Sequence, residues 1–183
     1  MKADADEITF RPVTDGDLPM LRSWMVQPHW QEWWGDAETE LGYVRDMIEG
    51  RDTTRPYLFL VGDVPMGYIQ YWFVDDHRRE PWLTDEPWIA ELPAGSIGVD
   101  LSIGDAAGLG KGLGSAALAA FVRTLWDEGF REIIIDPDPA NARAVRAYHK
   151  AGFRTIDALK GRFDSVHLMR FDPNAAMSGE EAA

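Results

Sequence analysis

Gly108-Leu109-Gly110-Lys111-Gly112-Leu113-Gly114 stands between a strand-like stretch, Ile97-Gly98-Val99-Asp100-Leu101-Ser102-Ile103, and an amphipathic helical stretch. Glycine reaches backbone conformations closed to other residues, so a loop this rich in it can turn several N–H groups toward one point. The helix that follows adds its N-terminal dipole at the same place. The segment therefore predicts a strand, an anion-gripping loop and a helix in succession, with phosphate as the natural occupant.

Composition limits what surrounds that unit. A chain of 183 residues with 45% hydrophobic content buries one sizeable core. Neither a linker nor a repeat divides it, so one domain is expected over residues 1–172, followed by a small, polar, acidic tail at 173–183 read as disordered. No apolar run reaches the roughly 20 residues of a membrane span. The start Met1-Lys2-Ala3-Asp4-Ala5-Asp6-Glu7 lacks the order of a signal peptide, so a cytoplasmic protein without a membrane partner is expected. With no cysteine there is no disulfide and no cysteinyl intermediate, and any group transfer is direct. The net charge of −13 argues against nucleic acid and permits a cationic substrate. His29, His77, His149 and His167 show no ligand spacing, so no metal is assigned.

Ile8, Phe10 and Val13 alternate as an opening strand, and Asp15 or Asp17 caps a helix carrying Leu18, Leu21, Trp24 and Met25 until Pro28. A second helix runs from Thr39 or Glu40 through Leu41, Val44, Met47 and Ile48 to Gly50, after a loop holding Trp30, Trp33 and Trp34. Residues 57–61 and 68–74 flank Gly62-Asp63-Val64-Pro65 and read as an antiparallel pair. A long loop, 75–95, leads to the strand 96–103. Beyond the glycine loop, Leu118, Phe121, Val122 and Leu125 mark a helix ended by Gly129, and 132–136 is a buried strand, which makes a parallel βαβ unit. A helix from Asn141 carries Val145, Tyr148 and Ala151 inward to Gly152, and a last strand covers 165–171.

Several residues suggest chemistry. Ile97, Val99, Leu101 and Ile103 share one strand face, so Asp100 points to the other, either as a solvent-facing strand residue or as a carboxylate turned to a ligand. Asp136 ends the neighbouring strand, either in the same cleft or as a cap of the Asp-Pro-Asp-Pro turn. Trp33 and Trp34 in one loop, and Asp85, Glu86 and Trp88 in another, combine aromatic faces with carboxylates. That combination suits a polycationic sugar; the alternative is aromatic core with a solvated acidic rim. Asn141 is a natural helix N-cap, and Tyr148 lies about two turns further along the same helix.

The element order, Gly110 to Gly114, the turn Asp136-Pro137-Asp138-Pro139-Ala140-Asn141, Tyr148 and Ala151-Gly152-Phe153 together resemble the GNAT superfamily of acyl-CoA N-acyltransferases over residues 7–172. Glu32-Trp33-Trp34-Gly35, Gly67-Tyr68-Ile69-Gln70 and Gly98-Val99-Asp100 are similar to the aminoglycoside 6′-N-acetyltransferase family within it. The resemblance implies an α/β (α+β) fold: a mixed, mostly antiparallel, splayed sheet flanked by helices. It implies acetyl-CoA in the cleft between the Asp100 strand and the Asp136 strand, held by Leu101, Ile103, Gly110, Lys111, Gly112, Leu113, Gly114, Ser115 and Asn141. Leu109 departs from the Gln or Arg of the superfamily pattern, which removes one side-chain contact to phosphate. Asp100 is the implied base and Tyr148 the implied acid for the departing thiolate. Trp33, Trp34, Asp85, Glu86, Trp88, Asp100, Asp136 and Asp164 are the implied contacts to a small cationic amine, an aminoglycoside, in a monomer or homodimer. A lysine-like or siderophore-precursor amine, a protein amine, and a non-catalytic CoA- or antibiotic-binding module are the alternatives.

Overall fold

In the computed structural model, which describes residues 8–177, strands β1 (Ile8–Pro12), β2 (Arg55–Val61) and β3 (Val64–Phe73) pair antiparallel in chain order. The turn between β2 and β3 uses Gly62 at φ +58°, and the ladder shifts register between Phe59 and Leu60. That bulge sits beside Gly67, where a Cβ would lie 2.4 Å from the Phe59 ring and from the Ser102 carbonyl, so no larger residue fits. The strands β4 (Ile97–Ile103), β5 (Ile133–Ile135), β6 (Phe153–Thr155) and β7 (Met169–Phe171) complete a seven-stranded sheet in the order β1-β2-β3-β4-β5-β7-β6. The pairings of β5 with β7 and of β6 with β7 are antiparallel, while β4 with β5 is parallel. The expected mixed, mostly antiparallel sheet with helices is the fold observed.

The chain divides into two compact units, the first comprising residues up to Tyr71 with Asp100–Ala117, the second Trp72–Val99 with the residues from Leu118 onward. In the first unit, α1 (Leu18–Met25) buries Leu21, Trp24 and Met25 and stops ahead of Pro28, which opens α2 (Pro28–Gln31). The helix α3 (Ala37–Ile48) begins earlier than its apolar periodicity suggests, because Asp36 caps it by accepting from the N–H and hydroxyl of Thr39. These helices bury Leu41, Val44 and the fully enclosed Trp30 with Leu58 and Tyr68 of the sheet.

In the second unit, the stretch read as a long loop is a series of short helical turns: Val74–His77, α4 (Trp82–Asp85) and Pro87–Glu91. Arg78 organises them by donating to Asp75 and to the carbonyls of Leu92 and Pro93, while Asp75 also accepts from the N–H of Gly95 at 2.8 Å. Such contacts join residues far apart in the chain and leave no local pattern. The helices α5 (Leu113–Asp127) and α6 (Ala142–Lys150) follow the expected positions. The last strand is shorter than expected, since His167 donates its N–H to the Pro137 carbonyl rather than to a ladder partner. The first residues of the tail form a short helix, α7 (Pro173–Met177), not a disordered start; the remainder of that tail lies outside the described residues.

Candidate active site

The glycine loop takes the form its sequence predicts. Gly110 and Gly112 lie at φ +74° and +82°, where L side chains are strained, and α5 starts at Leu113. The first main-chain donor bonded within that helix is Ala116, to the Gly112 carbonyl at 3.1 Å. The N–H groups of Leu113, Gly114 and Ser115 therefore have no acceptor inside the helix and point out of its N-terminus. Two side chains at the start of α5 are already engaged. The Leu113 side chain is 7% exposed and belongs to the core, so this residue offers only its main chain. The Ser115 hydroxyl donates to the Gly112 carbonyl at 2.8 Å, so it too offers an N–H rather than its side-chain proton. Lys111 is exposed at the loop tip.

Within β4, main-chain groups alternate in direction. Ile97 donates to the Glu132 carbonyl on the β5 side, whereas Gly104 donates to the Met66 carbonyl on the β3 side. The ladder with β5 ends at Gly98 and Ile134, so the main chain of Leu101 and Ile103 lies on the β4 edge beyond it. That edge and the glycine loop offer N–H donors at a strand end and a helix start, the donor set a thioester arm and a diphosphate require.

Asp100 sits in an acidic and aromatic cluster of the first unit. Its Oδ2 accepts from Gln70 Nε2 at 2.9 Å, and Gln70 Oε1 accepts from the Tyr68 hydroxyl at 2.6 Å. Tyr68 is fully buried, and burial with the charges of Asp100, Glu40 and Asp52 raises its phenol well above the usual range. It stays protonated and fixes the Gln70 amide, which fixes the Asp100 carboxylate. Trp34 packs edge-on to Tyr68 with ring centroids 5.7 Å apart. Half-buried Trp34 supports the cluster from the core side, and Trp33 is half-buried in the same turn.

Glu40 is the member of this cluster that the sequence reading leaves out. Burial, then the charges of Asp100 and Asp36, pushes its carboxyl up to about 7. A carboxyl poised there exchanges a proton at neutral pH. Glu40 reads from sequence as an ordinary exposed helix acid, and its proximity to Asp100 arises only when α3 packs on the sheet.

The second unit holds the other candidates. Asn141 caps α6, its Oδ1 accepting from Ala144 N–H at 3.1 Å. Tyr148 is half-buried on α6, with its ring 6.4 Å from that of Phe153. Asp136, half-buried, directly follows β5. Trp88, expected as a substrate contact, turns inward instead: it is 3% exposed in a core with Val74, Ile89 and Leu168, and its indole N–H is held by Glu86. Neither Trp88 nor the Glu86 oxygen bound to it offers a ligand face. The exposed aromatic of that region is Trp82, at 43%, packed edge-on against His77. Asp85 and Asp164 are exposed. Among the described residues no group of three His, Cys, Asp or Glu is placed to hold a metal ion.

A splayed β4 edge, a glycine loop on a helix N-terminus and a carboxylate facing off the same strand define an acyl-CoA-type acyltransferase. The chain belongs to the acetyltransferase (GNAT) domain family, whose match covers residues 13–160. It is 35% identical over 155 residues to the aminoglycoside N(6′)-acetyltransferase type 1 of Klebsiella pneumoniae, spanning 81% of this chain and 74% of that one. Among solved structures it is similar to AAC(6′)-Ib in complex with parmomycin and acetyl-CoA, at 30% identity and TM-score 0.74, over 97% of this chain and 100% of that one. AAC(6′)-Ib with ribostamycin and coenzyme A matches over the same shares at TM-score 0.73 and 30% identity.

Proposed function

We propose that this chain transfers the acetyl group of acetyl-CoA directly to the 6′-amine of an aminoglycoside, as a resistance-type enzyme. The observation that carries the reading is the Tyr68–Gln70–Asp100 chain beside Glu40, a fixed carboxylate pair with an aromatic wall, in the unit that also presents the glycine loop. Both units are read as parts of one acetyltransferase domain, because the family match runs through both.

Acetyl-CoA supplies an acyl group already activated as a thioester. The N–H groups of Leu101 and Ile103 would orient the thioester, those of residues 110–115 would hold the diphosphate, and Asn141 would bond the carrier's arm. Asp100 binds the reacting ammonium group and removes its proton, which frees the nitrogen lone pair. As the N–C bond forms and the C–S bond breaks, Tyr148 would give its phenolic proton to the departing sulfur, the nitrogen would lose its second proton to solvent, and the proton held by Asp100 would pass through solvent to restore the phenol, for a net release of one proton. In the first unit Glu40 would pair with another amino group, with Trp33 and Trp34 packing on sugar faces; in the second, Asp136, Asp164 and Asp85 are the candidate carboxylates and Trp82 the candidate aromatic face.

Replacing Asp100 with Asn removes the base, and kcat/KM for kanamycin is expected to fall by about 10²-fold or more. Tyr148→Phe is expected to lower kcat with little change in either KM. A thermal-shift comparison of kanamycin with lysine-type amines, both with CoA present, tests the substrate class. Stabilisation by kanamycin is expected; stabilisation by the lysine-type amines alone would redirect the reading to them.

A further inference from the structure

The start of α2 and the residues before it grip the exit of β4 by its main chain. His29 Nε2 and the indole N–H of Trp30 both donate to the Ile103 carbonyl oxygen, each at 2.9 Å. Two donors match the two lone pairs of a carbonyl oxygen, and the Ser102 hydroxyl makes a longer contact of 3.4 Å to the same atom. Since the carbonyl only accepts, Nε2 donates, which leaves Nδ1 as the other polar atom of the ring. That Nδ1 is buried and has no hydrogen-bond partner among the described residues. The ring is thus oriented by its Nε2 bond to the main chain of β4.

The neighbouring groups act on the same short segment. Gly104 donates to the Met66 carbonyl at 2.8 Å, so the peptide joining Ile103 and Gly104 is fixed at both of its polar ends. A Cβ on Gly104 would lie 2.4 Å from the Trp24 indole, which closes the segment from the helix side. Gln27 Oε1 accepts from the N–H of Ala106 at 3.1 Å. The turn from β4 into the glycine loop is therefore set by Trp24, Gln27, His29 and Trp30.

The Ile103 main chain lies on the strand edge that the acetyltransfer reading gives to the acyl carrier, and this step rests on that reading. An untied carbonyl there would set an acceptor lone pair against the carbonyl oxygens of an arriving thioester arm. We infer that His29 and Trp30 are positioning residues for the acyl carrier: by tying up the Ile103 carbonyl they take that acceptor out of the end of β4, and with Gln27 they fix the entry to the glycine loop.

Trp30 also packs against Trp34, with centroids 5.1 Å apart, so its variants would disturb the amine side as well. His29 is the cleaner probe. His29→Leu is expected to raise the KM for acetyl-CoA about tenfold. The KM for kanamycin and kcat should stay within about twofold. His29→Gln keeps a donor near Nε2, so it is expected to restore most of the acetyl-CoA KM without loss of melting temperature. If His29→Leu does not fold, half-buried Gln27 gives the same readout: Gln27→Ala raises the acetyl-CoA KM and Gln27→Glu, which keeps the acceptor, restores it. An unchanged acetyl-CoA KM in the Leu variant, equal rises in both KM values, or no rescue by Gln would overturn the inference while acetyltransfer stands. A parent protein that binds no CoA in calorimetry would bring down the acetyltransfer reading, and this inference with it.

Discussion

Glu40 shows how much a fold can alter one side chain. Its carboxyl is moved from 4.5 to about 7 by burial and by Asp100 and Asp36. A carboxyl raised in this way binds more protons in the folded than in the unfolded chain between those two values. The ligand-free protein therefore loses stability as pH rises across that window. A bound polycation reverses the balance, because it favours the carboxylate. The kcat/KM for kanamycin should rise through pH 7 more steeply in the parent than in Glu40→Gln; the substrate amines titrate in both, so the difference isolates Glu40. Melting curves at pH 5.5 and 8 should show a smaller pH-dependent drop in the variant, and identical profiles would remove Glu40 from the site. Asp17 shows the opposite sign. Hydrogen bonds from Arg11 and Thr14 lower its carboxyl from 3.8 to about 2, so its stabilisation is complete above the first value and is lost as pH falls through the second. Asp17→Asn is expected to cost about 1–2 kcal/mol at neutral pH, limited by screening at Arg11, which is 40% exposed. Denaturant melts check it.

The elements differ in how far their own residues announce them. The β4, glycine-loop and α5 succession was legible because glycine at φ +74° and +82° and an amphipathic helix are local requirements. Gly112→Ala should consequently weaken acetyl-CoA binding about tenfold or more, through strain at positive φ, and leave the KM for kanamycin nearly unchanged. Calorimetry with CoA measures it. Asn141 was legible for the same reason, a cap being a matter of three residues. The turns of 74–91 were not, since Arg78 holds them through carbonyls at Leu92 and Pro93 that no periodicity marks. Trp88 looked like a ligand platform because a tryptophan among acids carries no sign of which way it faces; packing with Ile89 and Leu168 turns it inward. Strand alternation gave the face of Asp100 and the family resemblance its role, yet its partners Gln70 and Glu40 reach it from β3 and α3, and only the assembled sheet brings them together.

The molecule as a whole carries a net charge of −13, and within the first unit Asp100 and Asp36 both act on Glu40. An acidic surface of this kind attracts a polycationic sugar over distances that salt screens, about 10 Å at 0.1 M. The KM for kanamycin should rise with ionic strength, while that for acetyl-CoA, itself an anion held by main-chain donors, should respond less or in the opposite direction. The deciding experiment is thiol release from acetyl-CoA with two aminoglycosides that differ only in an amine or a hydroxyl at the 6′ position. Release with the 6′-amine, one acetyl group found on that nitrogen, and none with the 6′-hydroxyl is the expected result. Equal release with both, or none with either, would contradict acetyl transfer to the 6′-amine.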